Sequence, residues 1–117
     1  MAPALKHIAN AQEASIPNYK NFPNIFLGAI HSSTQDDSEK PITSGFYRIE
    51  KGATMTATYT YYEFKLVVAG DLIVSDSTGQ KVKAVKGDII YFPKGATITF
   101  ETENGGEAFF VAQRASP

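Results

Sequence analysis

Residues 87–95 read GDIIYFPKG, and this stretch decides the fold. Gly87 opens a turn in which the Asp88 carboxylate can accept backbone N–H groups. The apolar run that follows, residues 89–92, has the composition of a short strand. Pro93 and Gly95 then set a second tight turn. The stretch therefore predicts a β-strand that is fixed by a turn at each end.

Strand-like runs separated by turn residues continue on both sides of this stretch. Alternation is clearest in Thr54–Tyr62, which reads TMTATYTYY and is rich in β-branched and aromatic residues. No segment keeps a helical period over about three turns. Because short strands with frequent turns are typical of antiparallel barrels and sandwiches, we expect an all-β fold. The predicted strands are residues 24–31, 43–50, 54–62, 63–69, 71–75, 80–85, 89–92, 96–102 and 107–114.

The first 23 residues differ from the rest of the chain. They mix Ala and Asn with the strand breakers Pro17 and Pro23, and they allow a short helical turn at residues 9–14. Four apolar side chains in this segment are predicted to lie across a sheet as a strap: Leu5, Ile8, Ile16 and Phe22. We therefore expect an N-terminal strap, residues 1–23, followed by one barrel domain, residues 24–117.

Charge and hydropathy narrow the class of partner. The chain of 117 residues has 11 Lys+Arg and 12 Asp+Glu, a formal net charge of −1. That balance gives no electrostatic basis for binding nucleic acid or an anionic membrane surface. No apolar run approaches the ~20 residues that span a bilayer, and the N-terminus lacks the plan of a secretory signal. We expect a cytoplasmic domain that binds neither nucleic acid nor membrane.

Few residues in the chain are suited to binding transition metals. There is no cysteine, which excludes disulfides, thiolate-bound zinc, iron–sulfur clusters and thiol nucleophiles. The only histidines are His7 and His31. Because first-row metal sites usually take several imidazole or thiolate ligands, the composition already disfavours such a site.

The turn glycines resemble those of the cupin superfamily. Its second motif, G(X)5PXG(X)2H(X)3N, matches Gly87, Pro93 and Gly95 in spacing. Its first motif, G(X)5HXH(X)3,4E(X)6G, matches Gly52, Glu63 and Gly70, with the interval from Gly52 to Glu63 one residue short. The run from Ser44 to Ala112 is also similar to small cupins of the ethanolamine-utilisation type. This resemblance implies a single cupin-type β-barrel, or jelly roll.

The positions where cupins carry metal ligands differ in this chain. Only Glu63 keeps the residue type of the motif. In the first motif, the two histidine positions hold Thr58 and Thr60 when counted from Gly52, and Ala57 and Tyr59, or Thr56 and Thr58, when counted back from Glu63. In the second motif, the histidine position holds Ile98 and the asparagine position holds Thr102. A lone carboxylate holds a transition metal weakly against water, so we expect no metal and no other cofactor. The open alternative is a divalent-metal site formed by Glu63 with His31.

Strand alternation predicts which side chains line the barrel. The resemblance places Glu63 inward, and Lys65 shares its face, so the two are expected to form an ion pair. The candidate catalytic residues are Glu63, Tyr59, Tyr61 and Lys65. The candidate substrate-binding residues are Tyr47, Arg48, Met55, Ile98, Phe100 and His31, with either Tyr47 or Arg48 facing inward. Packing of Tyr59 and Tyr61 in a filled barrel core remains open beside a catalytic role.

These expectations favour a metal-independent enzyme that acts on a small organic molecule by acid–base chemistry, as an isomerase, lyase, dehydratase or cyclase. The alternative is a non-catalytic cupin that binds a metabolite or serves a metabolic pathway as an accessory subunit. The ethanolamine-utilisation resemblance also implies an acetate-kinase-like activity, which the lack of a phosphate-binding loop disfavours. The resemblance further implies a homodimer, and an outward face formed by Phe64, Leu66 and Val68 is consistent with one.

Overall fold

A computed structural model describes residues 2–116 as an almost entirely β fold. One short 3-10 turn, Ala11–Glu13, precedes eight strands. No helix among residues 2–116 has the length and apolar character needed to cross a membrane. The strands are β1 Ile25–Ser32, β2 Thr43–Ile49, β3 Met55–Thr58, β4 Glu63–Asp76, β5 Lys81–Val85, β6 Ile89–Phe92, β7 Thr97–Glu101 and β8 Gly106–Ala112.

The strands form one curled antiparallel sheet around β4. The strand order is β1-β2-β8-β4-β7-β3, and β5 and β6 both pair with β4 as well. The first half of β4 pairs with β6 and β8, whereas the second half pairs with β5 and β7. The exchange of partner strands falls at Gly70, which has φ +64°. The long strand therefore joins the two walls of the barrel and holds Glu63 and Lys65 on the inner side of one wall.

Most strand boundaries agree with the sequence prediction to within one or two residues, and the all-β prediction is confirmed. Two differences have physical reasons. The predicted strands on either side of Gly70 are one continuous strand, because Gly70 adopts the left-handed conformation and still pairs with Gly106, after an irregularity between Val67 and Ala69. The strand predicted to reach Tyr62 ends at Thr58, because the chain must cross from β3 in one wall to β4 in the other.

The N-terminal segment runs along the free edge of β1. Ile16 is buried there, close to the position where a side chain on Gly28 would project. Of the four predicted strap residues, Leu5 and Ile8 are exposed and do not pack on a sheet. Pro17 accepts a hydrogen bond from the Leu27 backbone N–H, 3.0 Å long, and Asn18 forms an isolated bridge with Phe26. The turn Ala11–Glu13 lies within the helical turn that the sequence allows.

A second region of the outer surface, on β4 and β6 and the residue before β4, is apolar and exposed. We call it the outer aromatic face, formed by Tyr62, Phe64, Leu66, Ile89 and Tyr91. Phe64 is 52% exposed and Ile89 67% exposed. The Phe64 and Tyr91 rings lie 4.9 Å apart, and Tyr62 stacks on Tyr91 at an interplanar angle of 5°. Phe64 and Leu66 thus face outward, as the alternation predicts.

Candidate functional site

A cavity of about 460 Å³ opens between the two walls of the barrel. Its size falls within the ~300–1,000 Å³ range of small-molecule sites. Strands β1, β2, β3, β4, β7 and β8 supply its inner walls, while the N-terminal segment and the chain after β8 form its mouth. The residues that line it include Tyr19, Lys20, Phe22, Leu27, Tyr47, Met55, Tyr59, Tyr61, Glu63, Lys65, Phe100, Phe110 and Arg114.

An ion pair between Glu63 and Lys65 lies inside this cavity. Both side chains are almost fully buried, and the Lys65 ammonium contacts Glu63 Oε2. The Tyr59 hydroxyl donates to the same oxygen at 3.0 Å, and Lys65 Nζ lies 3.4 Å from that hydroxyl. Glu63 Oε1 accepts no hydrogen bond from any other residue between 2 and 116. The predicted pairing of Glu63 with Lys65 is confirmed, and the second carboxylate oxygen retains its lone pairs.

Aromatic rings surround the Lys65 ammonium. Its Nζ lies 5.0–5.9 Å from five ring centroids, those of Tyr47, Tyr59, Phe92, Phe100 and Phe110. The negative faces of such rings attract a cation, most strongly where water is excluded. Burial lowers the pKa of Lys65, while the adjacent Glu63 carboxylate raises it in part. The Glu63 carboxylate and the faces of the rings therefore favour the charged form of Lys65 and oppose the effect of burial.

The tyrosine hydroxyls of the cavity stay protonated at neutral pH. Burial, and then the nearby Glu63 carboxylate, raises the pKa of Tyr59. Burial also raises the pKa of Tyr61, which accepts a 3.0 Å hydrogen bond from Arg114 Nη1. Tyr47 is 2% exposed, and its hydroxyl has no hydrogen-bond partner among residues 2–116. A buried hydroxyl without a protein partner is uncommon, and a ligand atom or an ordered water at that place would satisfy it.

Seven of the ten predicted site residues line this one cavity: Tyr47, Met55, Tyr59, Tyr61, Glu63, Lys65 and Phe100. Arg48 lies on the opposite face of β2 from Tyr47, with its guanidinium 4.4 Å from the Phe26 ring centroid. His31 is exposed at the end of β1 and is outside the cavity lining. Ile98 is buried in the core but borders a different pocket, which is lined by the end of β4, by β6 and by the start of β7.

Two basic residues at the cavity mouth were not among the predicted site residues. Lys20 lies in the N-terminal segment, outside any alternating pattern, so no periodic signal marks it. Arg114 follows β8 but ends the predicted strand 107–114, and its position in the alternation could have identified it. Phe110 was also missed, although the alternation in β8 places it on the same face as the small residues Ala108 and Ala112.

The residues around Glu63 do not fit a metal ion. The Lys65 ammonium already pairs with Glu63 Oε2, and the other neighbours are aromatic rings and a protonated tyrosine. A divalent cation there would face a buried like charge. Within residues 2–116, no three His, Asp or Glu side chains come together as a metal site.

Comparison with known proteins agrees with this architecture. The family model described as ethanolamine utilisation protein EutQ matches residues 27–116. The acetate kinase EutQ of Escherichia coli K12 is 32% identical over 90 residues, which are 77% of this chain. The chain spans only 37% of the length of that curated relative.

Solved structures show the same barrel. A crystal structure from Salmonella typhimurium LT2, of a protein described as EutQ, has a TM-score of 0.72 at 25% identity, covering 86% of this chain and 80% of that one. A Rhizobium leguminosarum protein of unknown function has a TM-score of 0.71 at 26% identity, covering 98% and 100%. The polyketide cyclase RemF of Streptomyces resistomycificus, 12% identical with a TM-score of 0.78 over 97% and 82%, shares the fold. The chain therefore belongs to the EutQ family of ethanolamine utilisation proteins, and its fold is the cupin β-barrel.

Proposed function

We propose that this protein is a metal-independent cupin that performs acid–base chemistry on a small organic molecule in the cavity. The observation that carries the proposal is the buried Lys65–Glu63–Tyr59 cluster on the cavity wall. A carboxylate that is held in fixed geometry, next to protonated donors and away from bulk water, suits proton transfer.

The arrangement suggests a role for each group. Glu63 Oε1, which accepts no hydrogen bond from residues 2–116, takes a proton from a carbon next to a substrate carbonyl. The Tyr47 hydroxyl donates to the carbonyl oxygen, on which negative charge develops. Lys65 and Tyr59 hold the carboxylate and the charge around it in place. Return of the proton to another atom gives isomerisation, and loss of a leaving hydroxide together with the proton gives dehydration.

A second candidate function is metabolite binding without turnover. The observation that favours it is that the Lys65 ammonium already balances the Glu63 charge, as a purely structural pair would. Both candidates use the same cavity, so binding alone does not separate them. Proton exchange at carbon does separate them, because only the catalytic candidate removes a proton from the ligand.

The test is to incubate the protein in D₂O with pools of small carbonyl compounds and to follow deuterium incorporation by NMR. We expect the wild-type protein to exchange at least one compound, and Glu63→Gln to lose about 10²–10⁴-fold in rate. Tyr91→Phe, on the outer aromatic face, is the control and should exchange at the wild-type rate. Binding without exchange would support the non-catalytic candidate. Absence of both would overturn the assignment of this cavity as a small-molecule site.

We also propose that a second copy of the chain covers the outer aromatic face. Its five side chains carry no charge, and they form one contiguous patch across β4 and β6. Exposed apolar patches of this kind mark interaction sites, and most homo-oligomers are twofold dimers, in which the same patch meets itself.

Light scattering after gel filtration is expected to give twice the chain mass for the wild-type protein. Phe64→Glu should give the single-chain mass, because it places a charge in the centre of the face. Leu5→Glu is the control: Leu5 is 90% exposed in the N-terminal segment, outside the face, and this variant should stay dimeric. A wild-type monomer would contradict the proposal, as would dimeric Phe64→Glu protein.

A further inference from the structure

We infer that the ligand of this cavity is a small organic acid, with its carboxylate held at the mouth by Arg114 and Lys20 and a second oxygen at Tyr47. The inference rests on the proposed function and narrows the class of compound on which it acts. Three features carry it: the charges that line the cavity, the way Arg114 is held, and the unpartnered hydroxyl of Tyr47.

The cavity lining carries more positive than negative side chains. Lys20, Lys65 and Arg114 are the cations, and Glu63 is the acid. Because Lys65 pairs with Glu63, the inner pair is neutral as a unit. Neither Lys20 nor Arg114 has an acidic partner within residues 2–116. A concave site with low-dielectric walls and one sign of charge at its mouth concentrates ligands of the opposite sign.

Contacts within the protein orient the Arg114 guanidinium without using all of its N–H donors. Its guanidinium stacks on Tyr61, 4.8 Å from the ring centroid. Nη1 donates to the Tyr61 hydroxyl, and Nε donates to the Ala115 carbonyl at 3.1 Å. The remaining N–H groups of the guanidinium have no partner among the described residues. A planar guanidinium that is already oriented loses little conformational entropy when it binds a carboxylate.

Lys20 reaches the mouth from a turn of the N-terminal segment. Lys20 and Asn21 both have positive φ, +47° and +62°, a conformation that few side-chain-bearing residues adopt. The Lys20 ammonium lies 5.2 Å from the Tyr19 ring centroid, and both residues border the cavity. The turn thus brings a second cation to the same opening as Arg114.

Tyr47 supplies the evidence for a second oxygen deeper in the cavity. Its hydroxyl is buried without a partner, and burial raises its pKa, so it remains a donor at neutral pH. A carbonyl or hydroxyl oxygen of the ligand would accept from it. Met55 and Phe100 provide apolar contacts for the body of the ligand. The features together describe a short, partly apolar carboxylic acid that carries a further oxygen.

The test compares three probes of one shape and different charge: 4-hydroxyphenylacetate, 4-hydroxyphenylacetamide and tyramine. Dissociation constants are measured by NMR titration of the protein. We expect the anion to bind about tenfold or more tightly than the amide, and tyramine most weakly, because charge-assisted hydrogen bonds are the stronger ones. Arg114→Gln should bring the anion and the amide to the same constant.

The matched control is Arg48→Gln. Arg48 also stacks on an aromatic ring, but on the outer face of β2, and the anion preference should survive its replacement. Equal binding of anion and amide to the wild-type protein would overturn the inference, as would no binding of any probe below about 10 mM. Those results leave the exchange experiment with Glu63→Gln untouched, so failure of the ligand class and failure of the proposed function are distinguishable.

Discussion

Glu63→Gln is expected to lower the free energy of unfolding by about 3–5 kcal/mol at pH 7, the usual cost of removing one partner of a buried ion pair. The substitution keeps the shape of the side chain and leaves the Lys65 ammonium, 2% exposed, without its carboxylate. Each surrounding ring stabilises the cation by about 0.5–2 kcal/mol, but the five ring contacts are present in the wild-type protein as well and so do not offset the loss of the carboxylate. Urea unfolding followed by tyrosine fluorescence measures the loss.

The double variant Glu63→Gln/Lys65→Met separates the charge from the rest of the side chain. Because uncharged residues of similar volume replace buried pairs at little cost, its unfolding free energy should return to within about 1 kcal/mol of the wild-type value. Wild-type stability of the single variant would contradict a buried pair. A double variant as unstable as the single one would show that the unpaired charge is not the cause.

The pH dependence gives an independent check on Lys65. Burial lowers its pKa in the folded protein, so between that pKa and the ordinary value of 10.5 the unfolded chain binds more protons. Stability from this group therefore rises as the pH rises through that interval. Glu63→Gln should accordingly gain stability between pH 7 and pH 10 relative to the double variant, and parallel profiles would contradict the assignment.

Gly70→Ala is expected to cost about 4 kcal/mol or more, which is in the range of exceptional single substitutions. A Cβ atom on Gly70 would overlap the Gly105 carbonyl oxygen and lie 3.0 Å from Gly106 Cα. Those atoms are backbone, so no side chain can move aside. The φ of +64° adds the cost of a left-handed conformation.

Gly79→Ala is the control for the backbone conformation alone. Gly79 also has positive φ, +98°, but nothing lies within 4 Å of the place where its Cβ would be. We expect it to cost about 1–2 kcal/mol. Thermal or urea unfolding of the two variants compares them directly, and equal losses would contradict the close approach of β4 and β8 at Gly70.

The strand pattern and its turn glycines were sufficient to predict the barrel. Alternation placed Glu63 and Lys65 on one face, and that face is the inner wall of the cavity. Alternation could not decide between Tyr47 and Arg48, because adjacent residues face opposite sides and both side chains suit either one. The structure resolves the choice in favour of Tyr47.

Residues outside the strands were beyond this reasoning. Lys20 reaches the cavity through a turn whose path depends on packing between segments far apart in the sequence. Arg114 differs, because it ends the predicted strand 107–114 at the parity of Phe110. His31 shows the converse: it lies on a predicted strand, but the strand ends at the surface. Periodicity therefore identified the walls of the cavity and not its mouth.

We assign the Lys65 ammonium, and not a metal ion, as the cation of the Glu63 carboxylate. Elemental analysis tests this assignment on untagged protein after incubation with excess Zn²⁺, Mn²⁺, Fe²⁺ or Ni²⁺ and removal of unbound metal. We expect less than about 0.1 equivalent of each metal per chain, because a stable site needs several deprotonated ligands. About one equivalent of any of them would contradict it.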